Sequence, residues 1–278
     1  MSGRPTVLPT TVGGALTAAI AQRAGDTGPV PLVFATGNFA RLLDNWLVHA
    51  RAAGVRQPLV IAMDGALALP AGSDALLVPY SFDGSLSDLW FRRALVFEFL
   101  SAHGVDFIHS DVDAVWLQDP RPLCFAGGEF DLTFSQGGAY PEEIWRRWGF
   151  VLCCGLFAAR VNANTAAFFA KVRALTERIP DDQVAVNALL EQHGAIWETT
   201  GHETYPLQDR RGRTFTAYRQ ILEGTCEALG LRIGLIPHHR VSRLAILGTD
   251  AVARHPLGPG DPAQKAEILR AVGCWKLD

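Results

Sequence analysis

With 278 residues, 49% of them hydrophobic, the chain is long enough to bury a substantial core without dividing into two domains. Its formal net charge of −3 offers no electrostatic footprint for nucleic acid or an acidic membrane surface, and nowhere do ~18 continuous apolar residues supply a membrane span. The five cysteines are odd in number and lack a C-x-x-C pair, which argues against a disulfide framework or a zinc site and for a reduced, cytoplasmic compartment and small-molecule chemistry.

The mildly apolar run Val12 to Ala21 is broken by Gly13, Gly14 and Thr17 and preceded by Arg4 as its sole basic residue. It reads as an Ala-rich helix ending at Gly25 rather than a signal peptide. Pro31 to Ala35 is a strand, Phe39 to Ala53 a helix with apolar residues at Leu42, Leu43, Trp46, Leu47 and Ala50, and Pro58 to Met63 a second strand closed by Asp64-Gly65. That βαβ opening implies a parallel sheet with a right-handed crossover. A strand over Ala75 to Val78 and a helix over Ser87 to His103 follow, the helix stopped by Gly104. Further strands are expected at Asp131 to Ser135, Gly149 to Ala159, Leu231 to Ile236 and Leu244 to Leu247. Helices are expected at Ala163 to Ile179, Asp181 to Gln192 and Pro262 to Val272. The polar stretch Glu198 to Gln220 reads as a long loop. The fold class is therefore α/β, a mostly parallel central sheet flanked by helices, in one domain over residues 1–278.

The chemistry concentrates at Gly104 to Pro120, GVDFIHSDVDAVWLQDP. A short apolar run delivers Asp111 and Asp113 with one apolar residue between them, so the two carboxylates share a face of an extended segment. At the carboxyl end of a buried strand they lie where open α/β sheets bind ligands, and a hard divalent cation takes oxygen ligands of this kind. An isolated Asp-x-Asp is also a common acidic turn.

The block around it is more specific. ATGN after strand one, Asp64 after strand two, S-D-V-D-x-V-W-L-x-D-P, D-L-T-F-S (Asp131 to Ser135), C-C-G-L-F-A-A-R (Cys153 to Arg160), D-D-Q-V-A-V-N (Asp181 to Asn187) and R-H-P-L-G…K…G-C-W (Arg254 to Trp275) stand in order along the chain. Together they resemble nucleotide-diphospho-sugar transferases of the GT-A fold, most similarly glycosyltransferase family 77. The resemblance implies residues 1–120 as a nucleotide-binding half and 121–278 as a donor-sugar and acceptor half, with the C-terminal segment folding back over the donor site. It implies Asp111, Asp113 and His255 as ligands of a divalent cation, Mn²⁺ before Mg²⁺ given the imidazole. Lys265 is expected on a phosphate oxygen, Gly258 and Gly260 at a close backbone approach, and Thr36, Gly37, Asn38 and Asp64 around the nucleotide. Arg93 stands where the family has a basic residue facing the donor, and Asp111 also reaches the ribose. Cys153-Cys154-Gly155, where the family tends to Asn-x-Gly, and Arg254-His255-Pro256 depart from the family pattern.

Transfer from such a donor leaves a diphosphate and passes through a cation-like sugar, so charge accumulates on the leaving group, where a cation neutralises it. The resemblance also implies retention, with Asp182 and Gln183 near the anomeric carbon; D-D-Q at a helix start is equally good capping chemistry. Tyr140, Trp145, Arg146, Arg147 and Trp148 suit an acceptor platform, or, for the tryptophans at i and i+3, the core. The expected enzyme moves a sugar, UDP-linked by preference, to a small-molecule or glycan acceptor such as a secondary metabolite. Two other readings stand: a haloacid-dehalogenase-like phosphohydrolase using Asp111 and Asp113, and a non-catalytic nucleotide-sugar-binding protein.

Overall fold

The structure is a computed structural model that describes residues 7–23, 28–125, 130–208, 212–243, 250–256 and 260–277. Helix α1 (Thr10–Gln22) precedes a run of β1 (Val30–Ala35), α2 (Ala40–Ala52), β2 (Leu59–Ala62), β3 (Leu76–Pro79), α3 (Leu86–Ala102) and β4 (Phe107–Ser110). Strands β1, β2 and β4 are buried along their whole length, which is why they read as unbroken apolar runs and lie parallel in mid-sheet. Then come β5 (Val115–Trp116), α4 (Arg121–Cys124), β6 (Leu132–Gln136), α5 (Glu142–Trp148), β7 (Leu152–Ala159), α6 (Ala163–Thr176) and α7 (Asp182–Gln192). The chain continues through β8 (Ile196–Trp197), β9 (Thr204–Gln208), β10 (Thr214–Tyr218), β11 (Leu222–Cys226), β12 (Leu231–Ile236), β13 (Val241–Ser242), β14 (Ala253–Arg254) and α8 (Pro262–Ala271).

Nine strands form one sheet in the order β3-β2-β1-β4-β7-β6-β12-β11-β8. Within it only β7 and β11 run against the rest, so the expected mostly parallel sheet is the one observed. Side chains alternate between two cores. Val30, Leu32 and Phe34 face one, with Leu16, Phe97, Phe169 and Leu190 of α1, α3, α6 and α7; Val33 and Ala35 face the other, with Leu43 and Trp46 of α2 and Leu269 of α8. In the second core Trp46 and Trp116 meet edge to face at 5.1 Å, worth roughly 0.5–1.5 kcal/mol beyond the area they bury.

Two register features position the site. The β4–β7 pairing continues one residue past Ser110, with Asp111 N–H donating to the Gly155 carbonyl at 2.8 Å. In β7 the partners of Phe134 and Ser135 jump from Phe157 to Cys153, a bulge that turns residues 154–156 out of the β6 ladder beside Asp111. Secondly, β5, β14 and β13 form a small sheet in which Arg254 opposes both Val115 and Ser242. This pairing returns the C-terminal segment to the acidic motif.

Several expectations need correction. The first helix ends at Gln22, not Gly25. The stretch Glu198 to Gln220 is not an open loop: β9 and β10 pair antiparallel within it, and Leu207, Phe215 and Ala217 form a small core with Trp145. Its alternating pattern is masked in sequence by Pro206 and by polar residues on the outer face. Helix α5 was not expected. Its glutamates open and its arginines close a helix of seven residues, and Gly149, at φ 77°, ends it where a strand had been expected to begin. The strand expected at Leu244 to Leu247 and Gly258 lie outside the described residues.

Candidate active site

After β4 the chain makes a tight turn, Ala114 N–H donating to the Asp111 carbonyl at 2.9 Å. Ser110 braces the turn from below: its hydroxyl donates to the Ala114 carbonyl at 3.0 Å and accepts from the indole N–H of Trp46 and of Trp116, both at 3.1 Å. Val112 goes into the core, and Asp111 and Asp113 turn toward His255, which the β14 pairing has brought alongside. His255 Nε2 lies 3.7 Å from Asp111 Oδ2 and 3.5 Å from Asp113 Oδ1. One ligand atom from each of the three residues falls within 4.8 Å of the others. A Cβ on Gly155 would sit 2.7 Å from Asp111 Oδ2 and far inside contact with His255 Cε1, so only glycine lets β7 pass this close.

The electrostatics favour ionised carboxylates. Burial pushes both up, yet Arg93 above all, with His255, holds Asp111 well below the ordinary carboxylate range, and His255 and Lys265 bring Asp113 down to about 2. For His255, burial and Arg243 push down, but Asp113 outweighs them and raises the ring to about 9. Lys265 Nζ, from α8, pairs directly with Asp113 Oδ2. Two anionic carboxylates and an imidazole make a donor set that fits a divalent cation, with Lys265 now supplying positive charge at one of its oxygens.

Arg93 is buried on α3. Its Nη1 donates to Asp111 Oδ1 at 3.0 Å, its Nη2 meets His109 Nε2 at 2.8 Å, and its Nε lies 3.0 Å from Asp182 Oδ2. It therefore links the acidic turn to the start of α7. His109, packed among Phe34, Phe97 and Phe157, is pushed down to about 4 by burial and by Arg93, so it is neutral and its Nε2 accepts a hydrogen bond from Arg93 Nη2. Asp182 is raised to about 6, burial outweighing Arg93. The cap of α7 is Asp181, which accepts from Val184 N–H at 2.9 Å; Asp182 is the first helical residue and is buried. Gln183 accepts from Cys154 N–H at 3.2 Å and donates to the Tyr140 carbonyl at 2.8 Å.

At the same edge of the sheet, Thr36, Gly37 and Asn38 follow β1 and Asp64 follows β2. Gly37 N–H donates to both Asp64 oxygens, at 3.0 and 2.9 Å, and Asp64 Oδ1 also accepts from Ala66 and Leu67 N–H, each at 3.1 Å. A Cβ at Gly37 would lie 2.7 Å from that of Ala66, so glycine here permits the two loops to touch. Of the acceptor-platform residues, Trp145 packs on the β9–β10 hairpin and Trp148 on Phe150 and Trp197, at 6.0 and 5.5 Å; both are half-buried. Arg146 and Arg147 pair with Glu142 and Glu191, and Tyr140 is 56% exposed.

Two site residues escaped sequence reading. Cys153 Sγ lies 3.8 Å from His255 Nδ1, and Arg243 Nη1 contacts that sulfur and lies 3.1 Å from the same nitrogen. The departure at Cys153 was visible in sequence, but nothing marked Arg243, which only the β13–β14 pairing brings to His255.

Residues 83–253 match the family model of nucleotide-diphospho-sugar transferases. The match takes in Arg93, Asp111, Asp113, Gly155, Asp182 and Gln183, and lies between the Asp64 loop and His255. No curated protein matches the sequence. Among solved structures, the WbbM bifunctional glycosyltransferase in its apo form is similar at 12% identity and a TM-score of 0.42, over 59% of this chain and 38% of that one. The glycosyltransferase GlyE of Streptococcus pneumoniae TIGR4 is similar at 15% identity and a TM-score of 0.41, over 58% and 43%. The chain thus spans less than half the length of these solved proteins. The family match, covering more than half of the chain and running through the acidic turn, the β7 bulge and the start of α7, makes this chain a member of the nucleotide-diphospho-sugar transferase family.

Proposed function

We propose that the chain is a cation-dependent glycosyltransferase, of the family 77 kind, that moves a sugar from a UDP-sugar or related donor to a small-molecule or glycan acceptor with retention at the anomeric carbon. The observation that carries this reading is the convergence of Asp111, Asp113 and His255 from two distant parts of the chain within 4.8 Å. A divalent cation, Mn²⁺ or Mg²⁺, supplies there the positive charge that stabilises a departing diphosphate.

This chain's own residues have separable tasks. Asp111 and Asp113 provide hard oxygen ligands and His255 its Nε2, while Arg93 holds Asp111 in place. Lys265 leaves Asp113 for a phosphate oxygen, a point charge well suited to that partner. The Thr36-Gly37-Asn38 turn, locked to Asp64, receives the nucleotide at the carboxyl edge of the sheet. Asp182 and Gln183 shape the sugar-facing wall beside Cys154.

Calorimetric titration of UDP with and without Mn²⁺ tests the reading on wild type and Asp113→Ala. Wild type is expected to bind UDP at least tenfold more tightly with Mn²⁺, and Asp113→Ala to lose that gain while melting cooperatively. Equal metal dependence in the variant would put the cation elsewhere. Release of UDP on incubation with UDP-sugars, without inorganic phosphate from monoesters, separates the transferase from a phosphohydrolase.

A further inference from the structure

His255 presents two ring nitrogens to two different environments. Nε2 faces the carboxylates of Asp111 and Asp113; Nδ1 faces Arg243 Nη1 at 3.1 Å and Cys153 Sγ at 3.8 Å. A histidine that gives Nε2 to a cation is neutral and carries its proton on Nδ1, and that N–H needs an acceptor to hold the ring in orientation. Arg243 does not serve: a guanidinium has five donors and no acceptor. The sulfur does. Cys153 is fully buried, and its sulfur is anchored by Gly155 N–H at 3.3 Å and by Arg243 Nη1.

We propose that Cys153 Sγ accepts a hydrogen bond from Nδ1–H of His255 and is thereby the positioning residue that aims Nε2 at Asp111 and Asp113, with Arg243 holding the sulfur from its other side. The sulfur here takes the place of the carboxylate or carbonyl that ordinarily backs a metal-bound histidine. This inference rests on the cation reading of the proposed function.

The test compares Mn²⁺ binding to wild type, Cys153→Ala and Cys153→Ser, by electron paramagnetic resonance of free Mn²⁺ and without any substrate. Cys153→Ala is expected to bind 10- to 100-fold more weakly, and Cys153→Ser, whose hydroxyl still accepts, to recover to within a few-fold, with both melting near wild type. Long-range ¹H–¹⁵N spectra of the wild type with Mg²⁺ supply a readout that needs no variant, and the Nδ1–H tautomer of His255 is expected. Undiminished affinity in a folded Cys153→Ala protein, or an Nε2–H tautomer that persists in the Mg²⁺-loaded wild type, overturns the proposal. Failure of the wild type itself to bind Mn²⁺ or Mg²⁺ overturns the cation reading, and this inference with it.

Discussion

Lys265 Nζ and a cation compete for the same carboxylate, because the lysine already pairs with Asp113 Oδ2. That geometry predicts opposite effects of one substitution. Lys265→Met removes the competitor and is expected to raise the affinity for Mn²⁺ alone several-fold, while lowering the affinity for UDP in the presence of Mn²⁺ by roughly tenfold, since a charged hydrogen bond to phosphate is lost, about 1.5–3 kcal/mol. Two titrations of the variant decide it. Losses in both would mean that Lys265 orders α8 instead of exchanging partners. Gly155 is the other residue at this scale whose identity matters absolutely. Gly155→Ala places a methyl inside contact with His255 Cε1 and against Asp111 Oδ2, so the histidine must leave its position. The expected outcome is loss of Mn²⁺ binding with destabilisation of about 1–3 kcal/mol by thermal melting. Normal binding would show that the bulge yields instead.

At the scale of elements, the start of α7 divides its labour among three adjacent residues that look alike in sequence. Asp181 caps the helix, Asp182 pairs with Arg93, and Gln183 ties the Cys154 and Tyr140 backbones together. Asp181→Ala is therefore expected to cost ~1 kcal/mol in thermal or urea melting while leaving turnover per folded molecule unchanged. If Gln183 lines the sugar-facing wall as proposed, Gln183→Ala is expected to lower turnover strongly with UDP affinity near wild type, because the loss then falls beside the sugar and not the diphosphate. A Gln183→Ala protein that is destabilised yet turns over normally would reduce the residue to a structural link. Which residue of D-D-Q caps the helix is not legible in sequence for a physical reason: periodicity locates a helix start to within a residue or two, whereas capping depends on which side chain reaches back to a free N–H.

For the molecule as a whole, the C-terminal segment is part of the core as well as part of the site. Ala253, Leu269 and Cys274 are buried, and Asn45 of α2 donates to the Cys274 carbonyl at 3.0 Å. A chain ended at Thr249 is therefore expected to lose several kcal/mol of stability as well as UDP binding, since a Leu-sized buried side chain alone is worth ~1.5–3 kcal/mol. The melting temperature of the shortened protein checks this; a wild-type value with binding lost would make the segment a detachable cover.

From the sequence alone one could read the α/β class, the parallel opening, the acidic turn after β4 and the family, because buried parallel strands are continuous apolar runs and Asp-x-Asp at a strand end is a local pattern. It also named Arg93, Asp182 and Gln183, though not what each touches. Tertiary structure alone decided that Arg93 faces Asp111 and Asp182, that Lys265 pairs with Asp113, that Trp145 and Trp148 pack half-buried against core clusters, and that Cys153 and Arg243 stand behind His255. These contacts join residues many positions apart through a bulge in β7 and the β13–β14–β5 pairing, and register of that kind is set by packing, not by any local pattern of residues.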